Sequence, residues 1–229
     1  MTQRIAVYGG SFNPFCKHHQ EIIRWLIEEG DFSYVIVVPA AAHALKDAML
    51  EYMHRCNMTK LGVNDLIHNG MPSLPFKSTV VVSMIEMDML REHPGPIRTY
   101  ELLKEIRKGY PDAEIKFAIG PDIPDELDQW ANVDKIEAEF GFVKLPIQSM
   151  RATKLRQMIA EGLRAWKQHV PILVARYIEM HGLYHVERTT CEHEWEHTLV
   201  QTYEHPHREI CGRCHLPRVG SEIPLAKTS

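Results

Sequence analysis

Two adjacent imidazoles, His18 and His19, end a glycine-bearing turn, Gly9-Gly10-Ser11-Phe12-Asn13-Pro14-Phe15-Cys16-Lys17, which follows a short apolar run at 5–8. A turn between a first strand and a first helix gathers backbone N–H groups under a favourable helix dipole, the arrangement that suits a phosphate. Its glycine spacing is neither that of a dinucleotide fingerprint nor that of a P-loop. The imidazoles and Lys17 at the helix start instead predict contact with a nucleotide phosphate under attack. A second turn with an acidic end, Gly120-Pro121-Asp122, closes another apolar run. Further on, Cys191-Glu192-His193 and Cys211-Gly212-Arg213-Cys214 form a C-x-H … C-x₂-C pattern. Three thiolates and an imidazole suit a closed, tetrahedral, structural Zn²⁺ site, which can fold a segment too small for its own core. His197, His205, His207 and His215 are alternative ligands, and a polar tail with free thiols is the plain alternative.

The elements that must position these groups are legible from periodicity. Nearly continuous apolar, β-branched runs at 5–8, 34–38, 79–83, 115–119 and 140–144 predict strands covered on both faces. Amphipathic patterns at 20–29, 48–67, 100–108, 153–161 and 171–180 predict helices between or after them, the first stopped by Gly30. Alternating β and α elements predict an α/β fold with a doubly wound parallel sheet. Ligands of such sheets sit at the carboxyl ends of strands where the strand order reverses. If the first and fourth strands are neighbours, Gly10 and Gly120 face one crevice. A composition shift after Tyr184-His185, with five of fourteen histidines and three of five cysteines beyond 186, predicts a main domain over 1–186 and a small Cys/His module over 187–229.

Composition narrows the class. A chain of 229 residues with net charge −4 has no basic footprint for nucleic acid, so a small nucleotide is the expected partner. The longest apolar run, at 34–42, is too short to span a membrane, and no leader pattern opens the chain. Five cysteines without a dense framework suit a reducing, cytoplasmic setting.

The loop resembles the signature of the nicotinate/nicotinamide mononucleotide adenylyltransferases, within the wider nucleotidyltransferase superfamily. Gly10-Ser11-Phe12-Asn13-Pro14 matches its G-[ST]-F-[DN]-P, and His19 matches the last position of its H-x-G-H, while Cys16 and His18 stand where that motif has histidine and glycine. The resemblance runs over nearly all of residues 3–185. Pro39 and Lys46, then Arg55 and Met58, resemble the loop after the second strand and an R-x-x-M helix. Ser83 to Glu86 and Arg98 to Leu103, including Thr99, resemble the segment beside the mononucleotide. Gly120 and Asp122 followed by Trp130, Thr153-Lys154-Leu155-Arg156, and Gly182-Leu183-Tyr184 complete the series.

This resemblance implies a Rossmann-like fold and in-line attack by the mononucleotide phosphate on the α-phosphate of Mg²⁺-bound ATP, with pyrophosphate leaving. His19 and Arg156 would be catalytic. Gly10, Ser11, Phe12, Gly120, Asp122 and Thr153 would join them in holding ATP, and Asn13, Lys46, Thr99 and Trp130 would hold the mononucleotide, with Trp130 stacking near the pyridine ring. No protein nucleophile is needed, so positioning and charge stabilisation carry the rate. On the bland side, Cys16 reads as a small buried residue, Lys17 and His18 as loop surface, Lys46 and Arg55 as solvated cations, and Trp130 as core. The zinc module lies outside what the resemblance requires, and a homo-oligomer is an open option. Two alternatives stand beside the main reading: nucleotidyl transfer to another phosphorylated acceptor such as phosphopantetheine, and a nucleotide-binding sensor or scaffold of the same fold with weak turnover.

Overall fold

The apolar runs condense into a parallel sheet because each strand alternates its side chains between two cores. The computed structural model describes residues 2–41, 49–70, 78–93, 95, 97–120, 130–146, 152–184, 195–198 and 208–211. Five strands, β1 (Arg4–Gly10), β2 (Tyr34–Pro39), β3 (Thr79–Val82), β4 (Glu114–Ile119) and β5 (Phe142–Lys144), pair in the order β3-β2-β1-β4-β5, all parallel. Ala6, Tyr8, Val35, Val37 and Ala118 enter one core, while Ile5, Val7, Ile36, Val38, Ile115, Phe117 and Ile119 enter the other. Each Val, Ile or Phe among them stabilises the fold by about 1.5–3 kcal/mol when fully buried.

The first core is closed by α1 (Lys17–Glu28), α2 (Tyr52–Asp65), α6 (Ala152–Ala160) and α7 (Ile172–Met180), through residues such as Ile23, Leu26, Met58, Leu155 and Ile178. The second is closed by α4 (Thr99–Gly109) through Leu102, Leu103 and Ile106, and by α5 (Val133–Glu139) through Ile136. Helix α3 (Ile85–Glu92) follows β3 and buries only Glu86. A π-helical turn, Leu66–Gly70, extends α2, and a 3₁₀ turn, Arg164–His169, links α6 to α7. Helices α3 and α5 carry one buried residue each, too little apolar stripe to be seen in the sequence. The run at 140–144 is divided: Phe140 closes α5, Gly141 turns with φ +85°, and β5 starts at Phe142.

The chain runs from β1 outward to β2 and β3, then returns across to β4 and β5, so the order reverses between β1 and β4. Their register pairs Arg4 with Glu114 and Val7 with Phe117. Continued upward, it sets Gly10 beside Gly120, at the switch point where ligands of such sheets bind. Past the predicted boundary at 186, β6 (Trp195–Thr198) and β7 (Arg208–Cys211) form an antiparallel pair with Trp195 opposite Cys211. No helix among the described residues is long and apolar enough to cross a membrane.

Candidate active site at the carboxyl ends of β1 and β4

The loop after β1 is built by inward-turned aromatics. Phe12 takes a left-handed backbone (φ 43°), and the bond between Asn13 and Pro14 is cis. The Phe12 ring lies over Gly10, so a Cβ there would stand 3.1 Å from it. Phe12, Phe15 and Tyr8 surround His19, with ring centroids 5.0, 5.1 and 6.2 Å from its imidazole. Phe15 in turn sits against Gly62 of α2, where any Cβ would collide with the ring.

Burial fixes the state of His19. The residue is 9 % exposed, and desolvation, then neighbouring His18, holds its pKa well below the ordinary histidine value. Its Nδ1 accepts the Cys16 backbone N–H at 2.8 Å, which assigns the proton of the neutral ring to Nε2. His19 is therefore a neutral donor at the first turn of α1. The thiol of Cys16 donates to the Pro14 carbonyl at 3.1 Å, and burial pushes its pKa up to about 12, so it is no nucleophile. His18, expected on the loop surface, is instead buried at 6 % exposure, its ring 3.9 Å from that of His19, and burial lowers its pKa to about 4. A residue's type alone does not reveal which way the first helical turn faces. Lys17 is exposed as expected.

Helix α6 brings Arg156 onto the loop: its Nη1 donates to the Asn13 carbonyl at 2.8 Å and its Nη2 to Thr153 Oγ1 at 3.3 Å. Asn13 is held from its other end by Tyr184, whose hydroxyl donates to Oδ1 at 2.8 Å. Arg55, read from sequence as a solvated cation, is 1 % exposed. It donates to three carbonyls from three segments: Ser11 at 2.9 Å, Ala40 at 2.7 Å and Leu50 at 2.8 Å. Buried Glu86 accepts the Ala41 N–H at 2.7 Å, and burial raises its pKa to about 7 against the opposing pull of that bond and of Arg55. The sequence marks Arg55, Glu86 and Tyr184 only as parts of a family resemblance, and their roles as site supports come from contacts made in the fold.

Across the switch point, Gly120 directly follows β4, and among the described residues none comes within 4 Å of where a Cβ would stand there. Trp130 packs edge-on to Phe117 and Phe142, with centroids at 6.1 and 6.5 Å, and belongs to the rim of the second core. Thr99 is the first residue of α4, on that same side of the sheet. The structure thus brings Gly10, Ser11, Phe12, Asn13, His19, Thr153 and Arg156 together. Lys46, Asp122, Cys191, His193 and Cys214 lie outside the described residues, and for Cys211 the structure describes only the backbone, in β7.

Comparison with known proteins agrees with this geometry. The family model described as cytidylyltransferase-like matches residues 7–181. Two relatives, each named a probable nicotinate-nucleotide adenylyltransferase, are 26 % identical over 79 % of this chain and 91 % of the Thermomicrobium roseum protein, and 24 % identical over 80 % of this chain and 99 % of the Lachnoclostridium phytofermentans protein. The crystal structure of a candidate nicotinate-nucleotide adenylyltransferase from Vibrio parahaemolyticus superposes with a TM-score of 0.62 at 25 % identity, over 77 % of this chain and 99 % of that one. The Plasmodium falciparum nicotinic acid mononucleotide adenylyltransferase complexed with NaAD shares the fold, with a TM-score of 0.61 at 21 % identity over 80 % of this chain and 97 % of that one. With a match that spans most of its length and both sides of the crevice, the chain belongs to the cytidylyltransferase-like family of nucleotidyltransferases.

Proposed function

We propose that this protein transfers the adenylyl group of ATP to nicotinic acid mononucleotide, giving the deamido dinucleotide and pyrophosphate, with the nicotinamide form as the competing acceptor. The acceptor phosphate oxygen bonds to the α-phosphorus as the bond to the β,γ-leaving group breaks. The observation that carries the reading is His19, pinned through Nδ1 so that Nε2–H is the free donor beside the loop. A neutral donor fixed before the substrate arrives stabilises charge on a non-bridging α-phosphate oxygen with no reorganisation. Arg156, with N–H groups left over from its two bonds, supplies positive charge on the same side. Asn13 is already engaged at both its carbonyl and its Oδ1, leaving its amide nitrogen for the mononucleotide. Magnesium enters as part of the substrate, held by ATP phosphates and water, because the soft donors Cys16, His18 and His19 do not suit it. The names of the relatives, at about a quarter identity over most of the chain, favour nicotinate as the acceptor.

Incubation with Mg²⁺, ATP and, in turn, each mononucleotide and phosphopantetheine tests the reading by release of pyrophosphate and the adenylylated product. Turnover with the nicotinate form that falls by about 10²–10³ in His19→Ala is the expected result. Nucleotide binding without turnover favours the sensor, and turnover only with phosphopantetheine favours the other acceptor.

We also propose that residues 187–229 form a separate zinc module. The register that sets Trp195 opposite Cys211 places the start of β6 beside the end of β7. The chain flanking these two ends carries Cys191, His193 and Cys214. Zinc retained at full stoichiometry after these residues and Cys211 become Ala would overturn this assignment.

A further inference from the structure

The loop carries a second chemistry that phosphate binding does not use. The ligand atoms of Cys16, His18 and His19 all lie within 4.8 Å of one another. A tetrahedral Zn²⁺, with bonds of about 2.0–2.1 Å to nitrogen and about 2.3 Å to sulfur, needs its ligands roughly 3.3–3.7 Å apart. A contraction of about 1 Å therefore closes the site around an ion. One thiolate and two imidazoles suit a borderline-soft d¹⁰ cation and not Mg²⁺. Three protein ligands leave a fourth position for water or a phosphate oxygen, as in metal sites that stay open.

We propose that Cys16, His18 and His19 form an inhibitory zinc-class site, in which bound metal and the catalytic state of His19 exclude each other. In the metal-free state neither nitrogen of His19 offers a lone pair, since Nδ1 accepts the Cys16 N–H and Nε2 carries the proton. Coordination through Nδ1 displaces the Cys16 N–H, and coordination through Nε2 moves the proton to Nδ1, where it opposes that same N–H. Either route breaks the bond that aims the donor. The Cys16 thiol leaves the Pro14 carbonyl, binds as thiolate, and releases its proton to solvent. His18 completes the set because its ring already stands 3.9 Å from that of His19. The inhibitory half rests on the proposed role of His19; the metal-binding half does not.

The test uses the full chain with Co²⁺ as a spectroscopic probe and Zn²⁺ as the inhibitor. In wild type, Cys16 should contribute a thiolate-to-cobalt charge-transfer band that excess Mg–ATP displaces. Cys16→Ser should remove that contribution and one equivalent of metal, whereas Cys211→Ser with Cys214→Ser should leave it. His18→Gly should weaken binding by more than about 100-fold, the upper end of what loss of an outer-shell partner costs. Zinc should lose potency against adenylyl transfer in both loop variants. Circular dichroism checks their folding, and His18→Gly decides the matter if Cys16→Ser does not fold. Identical cobalt spectra and stoichiometry in wild type and the loop variants would overturn the proposal. Binding that leaves turnover untouched would overturn the exclusion. If wild type turns over no acceptor, the cobalt result still decides the site while the enzymatic reading fails.

Discussion

The two strand ends that meet at the switch point are built in opposite ways. The loop after β1 is cross-linked from every side: Arg55 holds Ser11, Arg156 and Tyr184 hold Asn13, Cys16 holds His19, and Phe12 and Phe15 fill the space beneath. The end of β4 leads into a glycine with no neighbour, among the described residues, where a side chain would begin. One tip is fixed before any ligand arrives, and at the other the described residues leave room for one. Catalysis by positioning requires both, because a donor must not reorganise and a nucleotide must still enter.

The contrast can be broken most severely at Arg55. Arg55→Leu strands three carbonyls behind an apolar side chain and should cost about 3–5 kcal/mol in urea unfolding, as for a buried charged partner removed from its network. Next, His19→Ala should lower kcat by about 10²–10³ while changing ATP affinity far less, because the donor acts on charge that develops during transfer. Single-turnover kinetics separate the two. Glu86 gives the pH signature of the tethered side. Its pKa is raised from 4.5 to about 7, so the stability of its protonated state is complete below about 4.5 and is lost as pH rises through 7. The loss should be at most about 4 kcal/mol, and Glu86→Gln should flatten this slope in denaturation curves measured from pH 4 to 8. Tyr184→Phe should cost about 1 kcal/mol, one neutral hydrogen bond, and raise the KM of the mononucleotide through the loosened Asn13. At the open tip, Gly120→Ala should change stability by no more than about 0.5 kcal/mol, yet weaken ATP binding measured by calorimetry. Equal losses of stability at Gly120 and Tyr184 would erase the contrast.

Much of this was legible in the sequence for a physical reason. Doubly covered strands are continuous apolar runs, and all five lie within two residues of their expected bounds, as Tyr34–Pro39 illustrates. The loop was legible because Gly10-Ser11-Phe12-Asn13-Pro14 matches a family signature in full and stands between an apolar run and a helical pattern. Helices α3 and α5 were not, since Glu86 and Ile136 alone make no stripe. His18 and Arg55 were misjudged because polar residue types favour the surface until a partner accounts for them, and their partners come from tertiary packing. Tyr184 reaches Asn13 across 171 residues, a distance that no local pattern encodes.

The bond from Cys16 to His19 is made by the main chain of residue 16 and not by its side chain. Side-chain identity at that position can therefore drift under mutation while the imidazole keeps its tautomer. Evolution can explore cysteine, histidine or other residues there without dismantling the donor. Proline alone, lacking an N–H, would cut the link, so a library randomised at residue 16 should recover active clones of many kinds and exclude that one.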